Sequence, residues 1–240
     1  MPISLLLCHS RKLVKQIGKQ TIINIFKSSV GKSEFILKLL ENKDKLFDCT
    51  FYRVIFAYPA EDKSRSRDTY LGRLKKICPE AELQFGLPEI SQDLFTGQHH
   101  ILLILDDLGK EAMNSTSFYN IFTKISHHGK LSVFVSMQHM FEKGLHNRNN
   151  ILNSSHLVLF RNRMDGLSIK TISSHIFNDV KVFPSILDWI AEHLEKDGVR
   201  YLVYDGHPNS KEYKYNVITN LFPMSDGIAR PIFFPSPAKK

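Results

Sequence analysis

The stretch of residues 22–35, IINIFKSSVGKSEF, constrains the fold of this chain more than any other. A short apolar run, Ile22–Phe26, leads into a turn of small residues, after which Gly31 and Lys32 open a pattern with helical periodicity. In this order of strand, loop and helix, backbone N–H groups and the helix N-terminus bind phosphate, with the lysine on the β- and γ-phosphates and the next hydroxyl on Mg²⁺. The predicted phosphate-binding loop comprises Ser28, Ser29, Val30, Gly31, Lys32 and Ser33.

One residue of this stretch departs from the full pattern G-x-x-x-x-G-K-[ST]. The pattern has glycine at the position of Phe26. A bulky side chain crowds the close backbone approach that glycine permits. A bare G-K-S also occurs in many unrelated proteins, so the loop alone does not decide the function.

Apolar runs alternate with helical patterns along the rest of the chain. Three runs, 101–105, 131–136 and His156–Phe160, are apolar at almost every position, which is typical of parallel strands buried on both faces. We therefore expect an α/β fold of the P-loop NTPase type, a mostly parallel sheet flanked by helices. A further strand is predicted over Phe51–Tyr58. Helices are predicted over residues 35–42, 70–77, 115–126, 167–177 and 183–196.

Length and composition favour one domain. The 240 residues are 42% hydrophobic, which is ample for a packed core. We expect a single ATPase-type domain over residues 1–223, in which the N-terminal segment 1–20 contributes an edge strand. A β-hairpin of 200–204 and 213–217 forms a C-terminal extension, and residues 224–240 form a loose, proline-containing basic tail.

The net charge of +8 indicates either an anionic partner, nucleic acid first, or simply a solvated basic surface. The candidate segments for DNA contact are 63–67, 73–76 and 161–163, each with the alternative of a solvated surface. Apolar runs are too short for a membrane span or a signal sequence. Three widely spaced cysteines fit a reducing compartment, so we expect an intracellular, non-secreted protein without a membrane partner.

Two carboxylates, Asp106 and Asp107, directly follow the aliphatic run 101–105. In P-loop NTPases a carboxylate at the end of a neighbouring strand holds Mg²⁺. A second acidic residue can act as the general base for water. We therefore predict that Asp106, with Ser33, binds Mg²⁺ and that Asp107 is catalytic. The alternative is a solvated turn.

Two further candidates lie beyond the run 131–136. Gln138 could orient water or sense the γ-phosphate, or it could be a plain loop amide. Arg148 is a candidate for the arginine that a neighbouring subunit supplies to the transition state. Arg161 and Arg163 are rivals for that role, and a surface or DNA-phosphate role is open for all three.

Four blocks occur in a fixed order: ILLILDDL, SVFVSMQHMF, ILNSSHLVLFRNRMD, and RYLVYDGHP with YNVITNLFP. In this order the chain resembles, over residues 20–223, the DNA-packaging ATPases of Polinton (Maverick) elements and adintovirus-like viruses. These belong to the FtsK–HerA superfamily, with the poxvirus-type packaging ATPases. The most specific parts are the strand leading to Gln138, the Leu-Asn-Ser-x-His-x-x-Leu-Phe block and the closing Asn-Leu-Phe-Pro.

The resemblance implies an ATP- and Mg²⁺-dependent motor that drives double-stranded DNA into a capsid. It implies a homo-oligomeric ring, a capsid or portal-vertex partner, and a location in the host nucleus or at a virus assembly site. It also implies the roles given above for Lys32, Ser33, Asp106, Asp107, Gln138 and Arg148. The chain departs from the family at Phe26, and at residues 161–165, where the family has Lys-Asn-Pro-Arg-Asp. The alternative is a catalytically impaired or host-resident copy, an ATP- or DNA-binding assembly factor.

Overall fold

The structure, a computed structural model, describes residues 6–7, 22–26, 31–59, 65–89, 99–121, 130–137, 154–161, 166–206 and 216–235. Its strands are β1 (Leu6–Leu7), β2 (Ile22–Phe26), β3 (Phe51–Tyr58), β4 (Glu82–Phe85), β5 (His100–Leu105), β6 (Leu131–Met137), β7 (His156–Phe160), β8 (Tyr201–Asp205), β9 (Val217–Thr219) and β10 (Ile232–Phe234). Its helices are α1 (Lys32–Glu41), α2 (Lys43–Leu46), α3 (Arg65–Ile77), α4 (Gly109–Asn114), α5 (Thr116–Asn120), α6 (Gly166–Phe177) and α7 (Val182–His193). All of these strands belong to one sheet.

One half of the sheet is parallel, in the order β7-β2-β6-β5-β3-β4. Every residue of β6 and β7 is buried, and so is every residue of β5 after His100. This burial explains the continuous apolar runs, because helices cover a parallel sheet on its faces. The predicted α/β class, with a parallel sheet flanked by helices, is confirmed.

Helix α1 joins the two halves of the sheet through an aromatic cluster. Its buried side includes Phe35, whose ring lies edge-on to the rings of Phe160, Tyr201 and Phe222 at centroid distances of 4.9–6.1 Å. Edge-to-face aromatic pairs at such distances add to the free energy of burial. The cluster therefore holds the first turns of α1 against β7 and β8.

The other half of the sheet is antiparallel, with β8, β9, β10 and β1 following β7. The pairing expected for the C-terminal hairpin is confirmed, because β8 lies antiparallel to β9, which runs from Val217 to Thr219. Of the second strand expected over 213–217, residues 213–215 lie outside the described ranges. The edge strand expected within residues 1–20 is also confirmed, as β1 at one margin of the sheet. The helices in the described ranges lack the length and apolar character needed to cross a membrane.

Three sequence-based expectations need correction. The loose tail is wrong for residues 232–234, because β10 pairs with β9 and β1 and Phe234 is fully buried. The helix expected over residues 70–77 is longer, because α3 begins at Arg65. Strand β4 was missed because it is short and mostly exposed, so it lacks the alternation that marks a half-buried strand.

We predict that Phe234→Ala lowers the free energy of unfolding by about 3–5 kcal/mol, since the Phe234 ring is buried and its centroid lies 5.4 Å from that of Trp189. The matched control is Ile228→Ala in the same C-terminal segment, where the side chain is 55% exposed. The control should change stability by less than about 0.5 kcal/mol. Urea unfolding followed by circular dichroism measures both. Equal losses would contradict the placement of β10 in the core.

Candidate functional site

The sheet order brings the carboxyl ends of β2 and β5 to the same edge, with β6 between them. Phe26, the last residue of β2, pairs with Met137 of β6 and Leu159 of β7. Leu105, the last residue of β5, pairs with Val135 of β6. Because all of these strands are parallel, the chain leaves β2 and β5 in the same direction. Open α/β sheets bind their ligands at this edge.

Gly31 makes the turn into α1 in a conformation that favours glycine. Its φ is +137°, and a Cβ added there would lie 2.7 Å from Cε1 of Phe160. Both observations exclude a larger residue without a shift of the ring or the backbone. The Gly31 carbonyl accepts the first helical hydrogen bond, from the Phe35 N–H at 2.8 Å. The N–H groups of the first turn are therefore aligned at the edge where β2 ends.

Lys32 and Asp107 form an ion pair at this edge. The distance from Lys32 Nζ to Asp107 Oδ1 is 2.5 Å, and the two side chains are 12% and 31% exposed. Asp107 has a φ of +57°, in the left-handed region that non-glycine residues rarely adopt. Unusual backbone conformations of this kind cluster at functional sites. The structure thus brings together two residues that lie 75 positions apart.

Asp106 points into the protein, where it pairs with Arg67. The distance from Arg67 Nη1 to Asp106 Oδ2 is 2.6 Å, and the side chains are 7% and 2% exposed. Burial raises the pKa of Asp106, and the nearby charge of Asp107 raises it further, whereas Arg67 lowers it. Breaking such a pair leaves an uncompensated buried charge, which is strongly destabilising.

Two tyrosine rings enclose the guanidinium of Arg67. The ring centroids of Tyr58 and Tyr70 lie 5.5 and 5.8 Å from its Cζ, within the range of cation–π attraction. Burial raises the pKa of Tyr70, and the charge of Asp106 adds to the rise, so the hydroxyl stays neutral. Arg67 is therefore part of the interior, and its place in a DNA-contacting segment 63–67 is wrong.

Sequence reasoning missed the role of Arg67, although a signal was present. Arg67 lies three, four and seven positions before Tyr70, Leu71 and Leu74, which form the inward side of α3. An arginine at the head of an apolar stripe occupies a core position and needs a buried anion. The chain offers one at the end of β5.

The structure describes some of the other predicted site residues and not the rest. Ser33 is exposed in the first turn of α1. Arg161 is exposed and pairs with Asp188 at 3.0 Å. In the segment 73–76, Arg73 pairs with Glu34 of α1. The remaining predicted site residues lie outside the described ranges: Ser28, Ser29, Val30, Gln138, Arg148 and Arg163.

The residues at this edge fit a nucleoside triphosphate with Mg²⁺. Helix α1 begins directly after Gly31, and the unpaired N–H groups of its first turn favour an anion. Lys32 supplies a positive charge that is largely buried yet at the edge of the sheet. The hydroxyl of Ser33 and the carboxylate of Asp107 are oxygen ligands of the type that Mg²⁺ prefers.

Comparisons with known proteins add little to this geometry. No family model matches the chain, and no curated protein matches it. Among solved structures, the chain is similar to the ATP synthase subunit NeqB from Nanoarcheaum equitans, with 12% identity and a TM-score of 0.40. The match covers 60% of this chain and 46% of NeqB, so the chain spans less than half of that subunit's length. At this level of similarity the comparison bears on neither the site nor the function.

We predict that Gly31→Ala lowers the free energy of unfolding by about 1–3 kcal/mol, because alanine is strained at this φ and its Cβ meets the Phe160 ring. The matched control is Gly72→Ala in α3, where no atom lies within 4 Å of the added Cβ. The control should raise the free energy of unfolding by about 0.5–1 kcal/mol, since alanine favours the helix. Urea unfolding measures the two. A gain at both positions would contradict the turn described here.

We predict that Arg67→Met lowers the free energy of unfolding by about 3–5 kcal/mol, because it leaves the buried Asp106 carboxylate without its partner. Arg53→Met is the matched control. Arg53 makes two 2.6 Å hydrogen bonds to Glu82, but both side chains are over 40% exposed. The control should lower the free energy of unfolding by about 0.2–1 kcal/mol. Thermal and urea unfolding compare them, and losses of equal size would show that Arg67 is not buried as described.

Proposed function

We propose that this chain is an ATPase that binds ATP and Mg²⁺ where β2 and β5 end. The observation that carries the proposal is the ion pair of Lys32 and Asp107 directly behind the Gly31 turn. A lysine at a helix N-terminus beside a strand-end carboxylate supplies the charges that phosphoryl transfer needs. A plain surface ion pair would not require a glycine with φ of +137° next to it.

Each residue has a defined task in this proposal. The first N–H groups of α1 and the Lys32 ammonium hold the phosphates, and the ammonium exchanges its Asp107 partner for phosphate oxygens. Mg²⁺ held by the Ser33 hydroxyl and a strand-end carboxylate would neutralise charge on the phosphates. Of the two carboxylates, one binds the cation and the other accepts the proton of the attacking water, roles that the sequence assigns to Asp106 and Asp107 respectively. The family resemblance assigns the role of sensing glutamine to Gln138 and that of trans-acting arginine to Arg148.

The finer proposal is a motor that uses ATP to move double-stranded DNA into the capsid of a virus or a virus-like transposon. It is supported by the ordered motif blocks that resemble Polinton-type packaging ATPases of the FtsK–HerA superfamily, and by the net charge of +8. We propose a homo-oligomeric ring that engages a capsid or portal-vertex protein. The host nucleus or the virus assembly site follows as the place of action.

A second candidate is a copy with impaired turnover that acts as an ATP- or DNA-binding assembly factor. Two observations favour it. Phe26 stands where the loop pattern has glycine. The carboxylate of Asp106, which the sequence assigns to the cation, is 2% exposed and already paired with Arg67. This candidate retains nucleotide binding but lacks hydrolysis, and Phe26→Gly would then restore activity.

We predict Mg²⁺-dependent ATP hydrolysis that increases when double-stranded DNA is added, and loss of that hydrolysis in Lys32→Ala, because the phosphates lose their main cation. The matched control is Lys45→Ala, an exposed lysine of α2 that should retain activity. Phosphate release with and without duplex DNA, on protein of measured oligomeric state, tests both. Absence of nucleotide binding at millimolar ATP would exclude the ATPase and leave only a DNA-binding assembly factor, whereas binding without hydrolysis would select the second candidate in its ATP-binding form.

A further inference from the structure

We propose that Arg67 is a positioning residue that keeps Asp106 inside the protein, so that Asp107 is the carboxylate facing the bound cation. The inference rests on the proposed ATP site and moves the cation role from Asp106 to Asp107. Two adjacent residues each form an ion pair, and the two pairs point in opposite directions. Asp106 turns inward to Arg67 of α3, and Asp107 turns outward to Lys32 of α1.

The surroundings of Asp106 leave no space for a hydrated cation. Its side chain is 2% exposed, and Oδ2 already lies 2.6 Å from the guanidinium. Mg²⁺ usually keeps several of its waters in proteins, so it needs a carboxylate at an open surface. A cation at Asp106 would also stand next to the positive charge of Arg67. Asp106 is thus suited to orient the end of β5 rather than to meet a ligand.

Arg67 is itself held in place, which makes it a fixed clamp rather than a mobile partner. The rings of Tyr58 and Tyr70 cover the guanidinium. Tyr58 lies on β3, which pairs with β5, and the ring centroid of Tyr70 on α3 lies 5.9 Å from that of Phe56 on β3. The planar fork of arginine suits such an enclosed, oriented contact better than the ammonium of lysine. Swinging Asp106 outward would leave this arginine buried without its anion.

The surroundings of Asp107 are the opposite. Its side chain is 31% exposed, and its carboxylate already lies 2.5 Å from Lys32, which the proposed site places on phosphate. The φ of +57° at Asp107 turns the chain immediately after the clamped residue. A cation bridging phosphate and protein would therefore encounter Asp107 before it encounters Asp106.

The experiment measures the dissociation constant of a fluorescent ATP analogue once with Mg²⁺ and once with EDTA. The quantity compared is the Mg²⁺ ratio, which is the dissociation constant with EDTA divided by the dissociation constant with Mg²⁺. The ratio isolates the cation from the direct effect of the carboxylate charge on the nucleotide. Asp107→Asn should lower the ratio about tenfold, as loss of a group that holds the metal does. The double variant Asp106→Asn with Arg67→Met removes both buried charges together. It should keep the ratio within about twofold, the effect of a change that touches no ligand.

The role of Arg67 as a clamp has its own readout. In Arg67→Met with Asp107→Asn, the released Asp106 should restore part of the ratio that Asp107→Asn loses. Should Arg67→Met prevent folding, as judged by circular dichroism, Arg67→Lys replaces it, because lysine makes a weaker, single contact. Arg53→Met is the control and should leave the ratio unchanged.

The outcomes are distinct. If the ratio falls in the double variant Asp106→Asn with Arg67→Met but not in Asp107→Asn, the assignment of the cation to Asp107 is overturned. The proposed ATP site then remains intact. If the double variant Arg67→Met with Asp107→Asn has a ratio no higher than that of Asp107→Asn alone, the proposed role of Arg67 as a clamp on Asp106 is overturned. Failure of the unaltered protein to bind the analogue at all overturns the proposed function, and the inference with it.

Discussion

The buried pair of Arg67 and Asp106 is the interaction on which the geometry of this edge depends. A carboxylate that is 2% exposed carries a large desolvation cost, and only a fixed, hydrogen-bonded cation offsets it. Helix α3 supplies that cation, so the position of α3 over the sheet is tied to the end of β5. Because Asp106 is held in this way, the next residue has to turn sharply, and Asp107 reaches Lys32. One buried charge pair thus sets the direction of a second, more exposed one.

The order of the strands gives these charge pairs their relation to α1. A chain that ran β2 and β5 as immediate neighbours would bring the two loops into direct contact. Here β6 separates them, and the distance across one strand is bridged by the length of the Lys32 side chain. Residue 138 follows β6 in sequence, so the polar residues predicted for the site come from the ends of three successive strands in space. Residues from several strand ends often form a site in α/β folds.

The elements that could be predicted from sequence are those whose burial is uniform. Strands β3 and β7 have the predicted bounds, because dense β-branched and aromatic residues leave no helical alternative. Strands β4 and β10 were missed because each is short, and the pairing partner rather than the local pattern makes it a strand. The same distinction holds at the site. The proximity of Lys32 to Asp107 followed from parallel-sheet logic, whereas the pairing of Arg67 with Asp106 depends on how α3 packs, which no local motif encodes.

The departure at Phe26 concerns only one part of the loop. The end of the loop is positioned by aromatic packing, since the Phe160 ring lies against Gly31 and against Phe35 one turn further along α1. That packing fixes the start of the helix, and with it the first N–H groups and the Lys32 backbone. Neither depends on glycine at residue 26. The groups that the proposed site assigns to phosphate are therefore in place whichever residue ends β2. In the proposed ATP site, nucleotide binding and turnover are accordingly separate predictions, and the departure at Phe26 bears on turnover.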